Sequence, residues 1–198
     1  MQNKRNRPPG AGPVQACCSA PLLQAADEGV LVLGLGNRLL GDDAVGPVVV
    51  EQMAGLHPQA RWLDGGTIGL ALLPTIESCR ALVVVDAARL GLPPGDVRVI
   101  EGAAMDAQLG GLRHSAHEVA LGDLMAAAAL AGCLPARRAL VAVQPQSLAL
   151  GDGLSPAVLE ALPRLREAVI DLLHRWSAAE PAACAAAARA EEEETVHD

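Results

Sequence analysis

The sequence predicts an α/β fold, a mostly parallel sheet of about five strands with helices on both faces. Three observations lead there. Continuous apolar runs, typical of strands buried on both faces, alternate with segments of helical period. The first run opens directly into a glycine turn at Gly34 and Gly36. A later run closes on a lone carboxylate, Asp86, where sheets of this class carry their sites.

The elements follow in order. "GVLVLGLG" (29–36) is a strand, and "AVGPVVVEQMAGL" (44–56) carries a helical period. "ARWLDGG" (60–66) reads as a strand into a turn. "TIGLALLPTIESC" (67–79) reads as a helix that Pro74 kinks or restarts. "ALVVVDAA" (81–88) and "DVRVIEG" (96–102) are strands, and 103–114 is expected to be a glycine-containing loop. A helix over 116–131 and a strand "ALVAVQP" (139–145) come next. Ser155 can cap the last helix and Pro156 suits its first position; the helix runs to about Trp176. Residues 28–177 are expected to form one domain. Residues 1–27 and 178–198, without apolar periodicity, are expected to be disordered tails.

Composition narrows the function. Apolar residues make up 51%, yet there is no Phe or Tyr, and the only tryptophans are Trp62 and Trp176. The stacking platforms of a single-strand nucleic-acid binder are therefore absent. A net charge of −8 argues against phosphate-backbone binding as well. No run approaches the length that spans a bilayer, and no apolar stretch follows the basic N-terminus as in a secretory signal. The five cysteines form no CxxC pair and suit a reducing cytoplasm. The expectation is a cytoplasmic protein with no nucleic-acid partner and no membrane insertion.

The glycine turn raises a dinucleotide reading, which the residues oppose. The fingerprint needs G-x-G-x-x-G, but the third glycine is displaced to Gly41 and Leu39 takes its place. Asp42 and Asp43 would also repel a pyrophosphate. Helix capping accounts for one of these carboxylates, assigned to Asp42, and leaves Asp43 for another task. Asp86, at the end of a buried strand, would cost desolvation in a purely structural role. "SAHE" (115–118) fits a capping box, with Ser115 as cap and Glu118 reaching back. His117 then lies in a first helical turn, where the dipole keeps imidazole neutral and able to bind metal. His114, in the preceding loop, is a secondary candidate. The topology brings Asp43, Asp86 and His117 to one sheet edge. Two carboxylates and an imidazole make an open site for a divalent transition metal.

With these residues in place, the sequence resembles the hydrogenase maturation proteases. The resemblance rests on "GLGNRLLGDDAVG" (34–46), "DGGTIGLALLP" (64–74), "VVVDAARLGLPPG" (83–95), "SAHEVALGDLM" (115–125) and "VAVQPQSLALGDGLSP" (141–156), in that order. It implies a three-layer α/β/α domain. It implies that Asp43, Asp86 and His117 bind metal and carry catalysis, and that Asp64, Gly65, Gly66 and Thr67 help recognise the substrate. Members often carry Glu at the position of Asp43. The implied reaction removes a C-terminal extension from the large-subunit precursor of a nickel–iron hydrogenase after nickel insertion. The implied metal is nickel supplied by that precursor, or another divalent ion such as zinc in isolation, and the enzyme is expected to be a monomer. Two other functions stand as alternatives: a non-catalytic nickel-checking partner of the precursor, with the same site and no hydrolysis, and a nucleotide-dependent oxidoreductase, which the missing glycine and the added carboxylates disfavour.

Overall fold

A computed structural model gives the structure of residues 28–110, 116–151 and 153–178, to which every structural statement below refers. The predicted tails apart from Ala178, which ends a helix, His114 and the Ser115 cap lie outside these residues. So do the side chains of 116–119, where the backbone alone is described.

Strands β1 (Glu28–Leu35), β2 (Ala60–Gly66), β3 (Cys79–Ala87), β4 (Val97–Glu101) and β5 (Arg137–Val143) form one sheet in the order β2-β1-β3-β5-β4. All pairings are parallel except β4 with β5. The helices are α1 (Val45–Met53), α2 (Leu73–Glu77), α3 (Gly102–Gly110), α4 (Ala116–Leu130) and α5 (Pro156–Ala178). Short 3-10 turns at Gly41–Ala44 and Gly69–Leu72 lead into α1 and α2.

Strand alternation divides the core in two. Val30, Val32, Val83, Val85 and Val141 face one side, against α1 through Val45, Val49 and Met53 and against α5 through Val158, Leu165 and Leu172. Leu31, Leu33, Leu82, Val84 and Leu140 face the other, against Ile76 of α2, Met105 of α3 and Leu121 and Leu124 of α4. The fold is a three-layer α/β/α sandwich with an antiparallel edge strand.

Residues 102–110 form a helix, not the expected loop. "AAMDAQL" is rich in helix formers, and its i, i+4 pair Met105 and Leu109 is buried. The flanking glycines obscure it in the sequence. Asp106 also holds it to β5 by accepting hydrogen bonds from Nε (2.8 Å) and Nη2 of Arg138. Those bonds hold the Asp106 carboxyl below its ordinary range. Pro74 lies in the first turn of α2, so it restarts a helix after the 3-10 turn.

Register fixes the functional edge. Gly34 of β1 lies opposite both Asp64 of β2 and Val85 of β3. Asp86 pairs with Ala142 of β5 one step further on. The ends of four strands thus lie level, and the segments that follow them converge there.

Candidate active site

The opening glycines serve close packing. A Cβ on Gly34 would overlap the carbonyl of Gly46, and one on Gly46 would overlap the carbonyls of Leu35 and Val85. The first turn of α1 therefore sits directly on the ends of β1 and β3. Gly36 has φ +130°, and a Cβ there would overlap the Asp43 carbonyl. Only glycine lets the chain turn back so tightly.

This packing buries two carboxylates at the strand ends. Asp43, in the 3-10 turn, is 2% exposed, and its Oδ2 accepts the N–H of Asn37 at 2.7 Å. Asp86, in β3, is 1% exposed. The turn carrying Asp43 packs against β3. His117 is the second residue of α4. One helical turn further, Ala120 and Leu121 line a small cavity with Leu35, Gly66 and Thr67, so α4 starts beside the ends of β1 and β2. The three predicted residues therefore belong to segments that meet at one edge. The described side chains alone form no metal-binding group of three or more His, Cys, Asp or Glu.

Asp42 departs from its expected role. It makes no side-chain capping bond to the turn that contains it. Fully buried, it accepts the N–H groups of Gln146 (2.8 Å), Ser147 (3.0 Å) and Ser155 (2.6 Å) and the Ser155 hydroxyl (2.9 Å). Asp42 thus ties the loop after β5 and the start of α5 to the segment that carries Asp43. Ser155 does cap α5, accepting the N–H of Val158 at 3.4 Å. The sequence signals a helix start near Asp42, but a partner more than 100 residues away leaves no local trace.

The turn at 64–67 is braced on the opposite side. Asp64 Oδ1 accepts the N–H of Gly66 at 3.0 Å, and the Gly66 carbonyl accepts the N–H of Gly36 at 3.0 Å. Arg38, which sequence reasoning missed, donates to Asp64 Oδ2 through Nε (3.3 Å) and Nη2 (3.1 Å), and to Glu51 at 2.8 Å. Hydrogen bonds to Glu51 and then Asp64 raise the Arg38 pKa. The arginine thereby links the Asp43 loop, α1 and the Asp64 turn. Its one sequence signal is a lone cation in an otherwise apolar and acidic motif.

An α/β/α sandwich that gathers buried carboxylates at its strand ends defines a class of proteins with a strand-end polar site. Within that class, the chain belongs to the hydrogenase maturation protease family, whose HycI profile matches residues 47–172. The chain is 42% identical to the hydrogenase expression/formation protein HupD of Rhodobacter capsulatus over 135 residues, covering 66% of this chain and 64% of that one. It therefore spans just under two thirds of that relative's length. The hydrogenase 2 maturation protease of Escherichia coli is 32% identical over 158 residues, covering 74% of this chain and 96% of that one. Among solved structures, the hydrogenase maturating endopeptidase HybD from E. coli superposes with TM-score 0.69 at 31% identity, covering 74% of this chain and 92% of that one. The [NiFe] hydrogenase maturation protease HybD from Thermococcus kodakarensis gives 0.63 at 26% identity, covering 73% and 98%.

Proposed function

We propose that this protein is an endopeptidase that removes the C-terminal extension of a nickel–iron hydrogenase large-subunit precursor after nickel insertion. Asp43, Asp86 and His117 recognise the nickel that the precursor carries. The observation that carries this reading is the burial of two carboxylates on adjoining segments, level with the start of α4. Carboxylates gathered at one strand-end edge offer charged oxygen donors to a divalent ion that the substrate presents. Oxygen and imidazole donors suit nickel, and zinc would be accepted in isolation.

Hydrolysis adds one water across one peptide bond. The substrate's own nickel would polarise the scissile carbonyl or acidify the water. Asp43 takes the water proton as the oxygen bonds to the carbonyl carbon, and that proton passes to the leaving amine as the C–N bond breaks. Asp64, Gly65, Gly66 and Thr67, steadied by Arg38, form the wall against which the precursor is aligned. The reaction is assigned to the cytoplasm and to a monomer; no described helix is long and apolar enough to cross a membrane.

The test mixes the purified protein with nickel-loaded and nickel-free precursor and reads loss of the C-terminal peptide by mass. The expected result is cleavage of the loaded form alone. Binding without cleavage would make the protein a nickel-checking partner, and cleavage of both forms would remove nickel from the recognition step.

A further inference from the structure

A second feature adjoins the carboxylate edge on the side away from the Asp64 turn. Beyond Ala88 and Val143, which are joined by an N–H to carbonyl bond of 3.0 Å, the chains leaving β3 and β5 separate around an open trough of about 360 Å3. Arg89 and Gly91 form one wall, and Gln144, Gln146 and Ser147 form the other.

Both walls are fixed from beneath. Gln144 Oε1 accepts the N–H groups of Leu90 (2.7 Å) and Leu92 (3.3 Å), holding the loop after β3 to the end of β5. The Gln144 main chain pairs with the N–H of Gly95 and the carbonyl of Asp96, each at 2.8 Å. Asp42 holds the main chain of Gln146 and Ser147 from the other side. A cleft in exposed loops is thus set in one shape before anything binds, which lowers the entropic cost of binding.

Its chemistry is specific. The exposed rim carries one cation, Arg89, with the Gln146 amide and the Ser147 hydroxyl. Arg89 is three residues past the buried Asp86. The volume lies at the low end for ligand clefts, enough for a few extended residues and too little for a folded partner. Amide and hydroxyl groups suit a peptide main chain, and a guanidinium suits a carboxylate.

We propose that this trough holds the C-terminal extension of the protein substrate in extended form, with one of its carboxylates on Arg89. The proposal rests on the processing reading above and adds which part of the precursor lies on which side of the buried carboxylates. The extension runs over the ends of β3 and β5, while the body faces the Asp64 turn over β1 and β2.

The full-length protein carrying a photo-crosslinker at the exposed position 146 (Gln146→p-benzoylphenylalanine) is irradiated with nickel-loaded precursor, and the joined peptides are mapped by mass. Cross-links within the extension are expected. Cross-links confined to the precursor body, or none, would overturn the proposal. Arg89→Glu provides an independent readout: KM for the precursor should rise at least tenfold with the melting temperature kept, and an unchanged KM would also overturn it. The unsubstituted protein, assayed in parallel for cleavage, keeps the two readings apart. If it fails to cleave, the processing reading falls, while the cross-link map, which needs binding alone, still decides where the extension lies.

Discussion

Asp42 and Asp43 are chemically identical neighbours, both buried, and they belong to different regions of the molecule. Asp42 faces the loop after β5 and accepts four hydrogen bonds from residues 146–155. Asp43 faces the ends of β1 and β3, held by the N–H of Asn37 in its own loop. One carboxylate joins distant parts of the chain, and the other stands among the strand ends where the chemistry is proposed. Burial of a charge therefore does not by itself mark a functional group; the origin of the donors around it separates a fastening from a site.

The sharpest way to break this comparison is Asp42→Asn. The amide replaces one acceptor oxygen with a donor among N–H groups that are already donors. With the amide nitrogen in the Oδ1 position, the Ser155 N–H loses its acceptor at roughly 1–3 kcal/mol and the three bonds to Oδ2 lose their charge assistance, so a loss of about 3 kcal/mol is expected. At roughly 2–4 °C per kcal/mol for a chain of this size, the melting temperature should fall by about 6–12 °C. The sequence alone points the other way, because Asn is nearly as good a helix cap as Asp. A melting temperature within about 2 °C of the parent would restore the capping role.

Asp43→Asn should reverse that pattern. The substitution keeps shape and removes charge, so precursor cleavage should fall at least about a hundredfold, equivalent to about 2.7 kcal/mol, while the melting temperature moves by a few degrees at most. Asp43→Glu, which keeps the charge, should retain much of the activity. If cleavage survives Asp43→Asn, the proposed division of roles collapses.

Ser155→Ala tests the fastening from its other end. It removes the hydroxyl bond to Asp42 and the cap on Val158. Hydrogen bonds to charged groups and N-caps each contribute on the order of 1–2 kcal/mol, so a loss of about 2 kcal/mol is expected. Measured by denaturant melts, the Asp42→Asn and Ser155→Ala losses should sum to more than the double variant shows, because the two groups share one network. Additive losses would show that they act separately.

Much of this was legible in the sequence, for identifiable reasons. Strands buried on both faces announce themselves as apolar runs, so β1, β3 and β5 were placed within two residues. Asp86 stood out because it closes such a run. The α3 helix is hidden because the seven residues between its terminal glycines carry too little periodicity. A local capping rule accounts for Asp42 in the sequence, while its partners lie in a loop that no local rule connects to it. Arg38 was missed for the same reason: its meaning comes from Asp64, 26 residues away, and exists only once β1 and β2 are paired.

The smallest effect is expected at Arg38. Its bonds to Asp64 and Glu51 lie at the surface, with about half of its side chain exposed (48%). Exposed ion pairs of this kind contribute roughly 0–1 kcal/mol and weaken with salt. Arg38→Gln should therefore lower the melting temperature by no more than about 3 °C. The difference should shrink as salt is raised to 1 M, where charges are screened over about 3 Å. Catalysis should respond differently if the Asp64 turn aligns the precursor. Without its brace the turn still forms, through the Asp64 bond to the Gly66 N–H, but its position relative to Asp43 is no longer set by a common partner. The expected outcome is a several-fold rise in KM with kcat within about twofold of the parent. A fall in kcat with KM unchanged would instead mean that Arg38 acts on the reacting edge itself, and the line drawn here between bracing residues and the Asp43–Asp86 pair would have to move to include it.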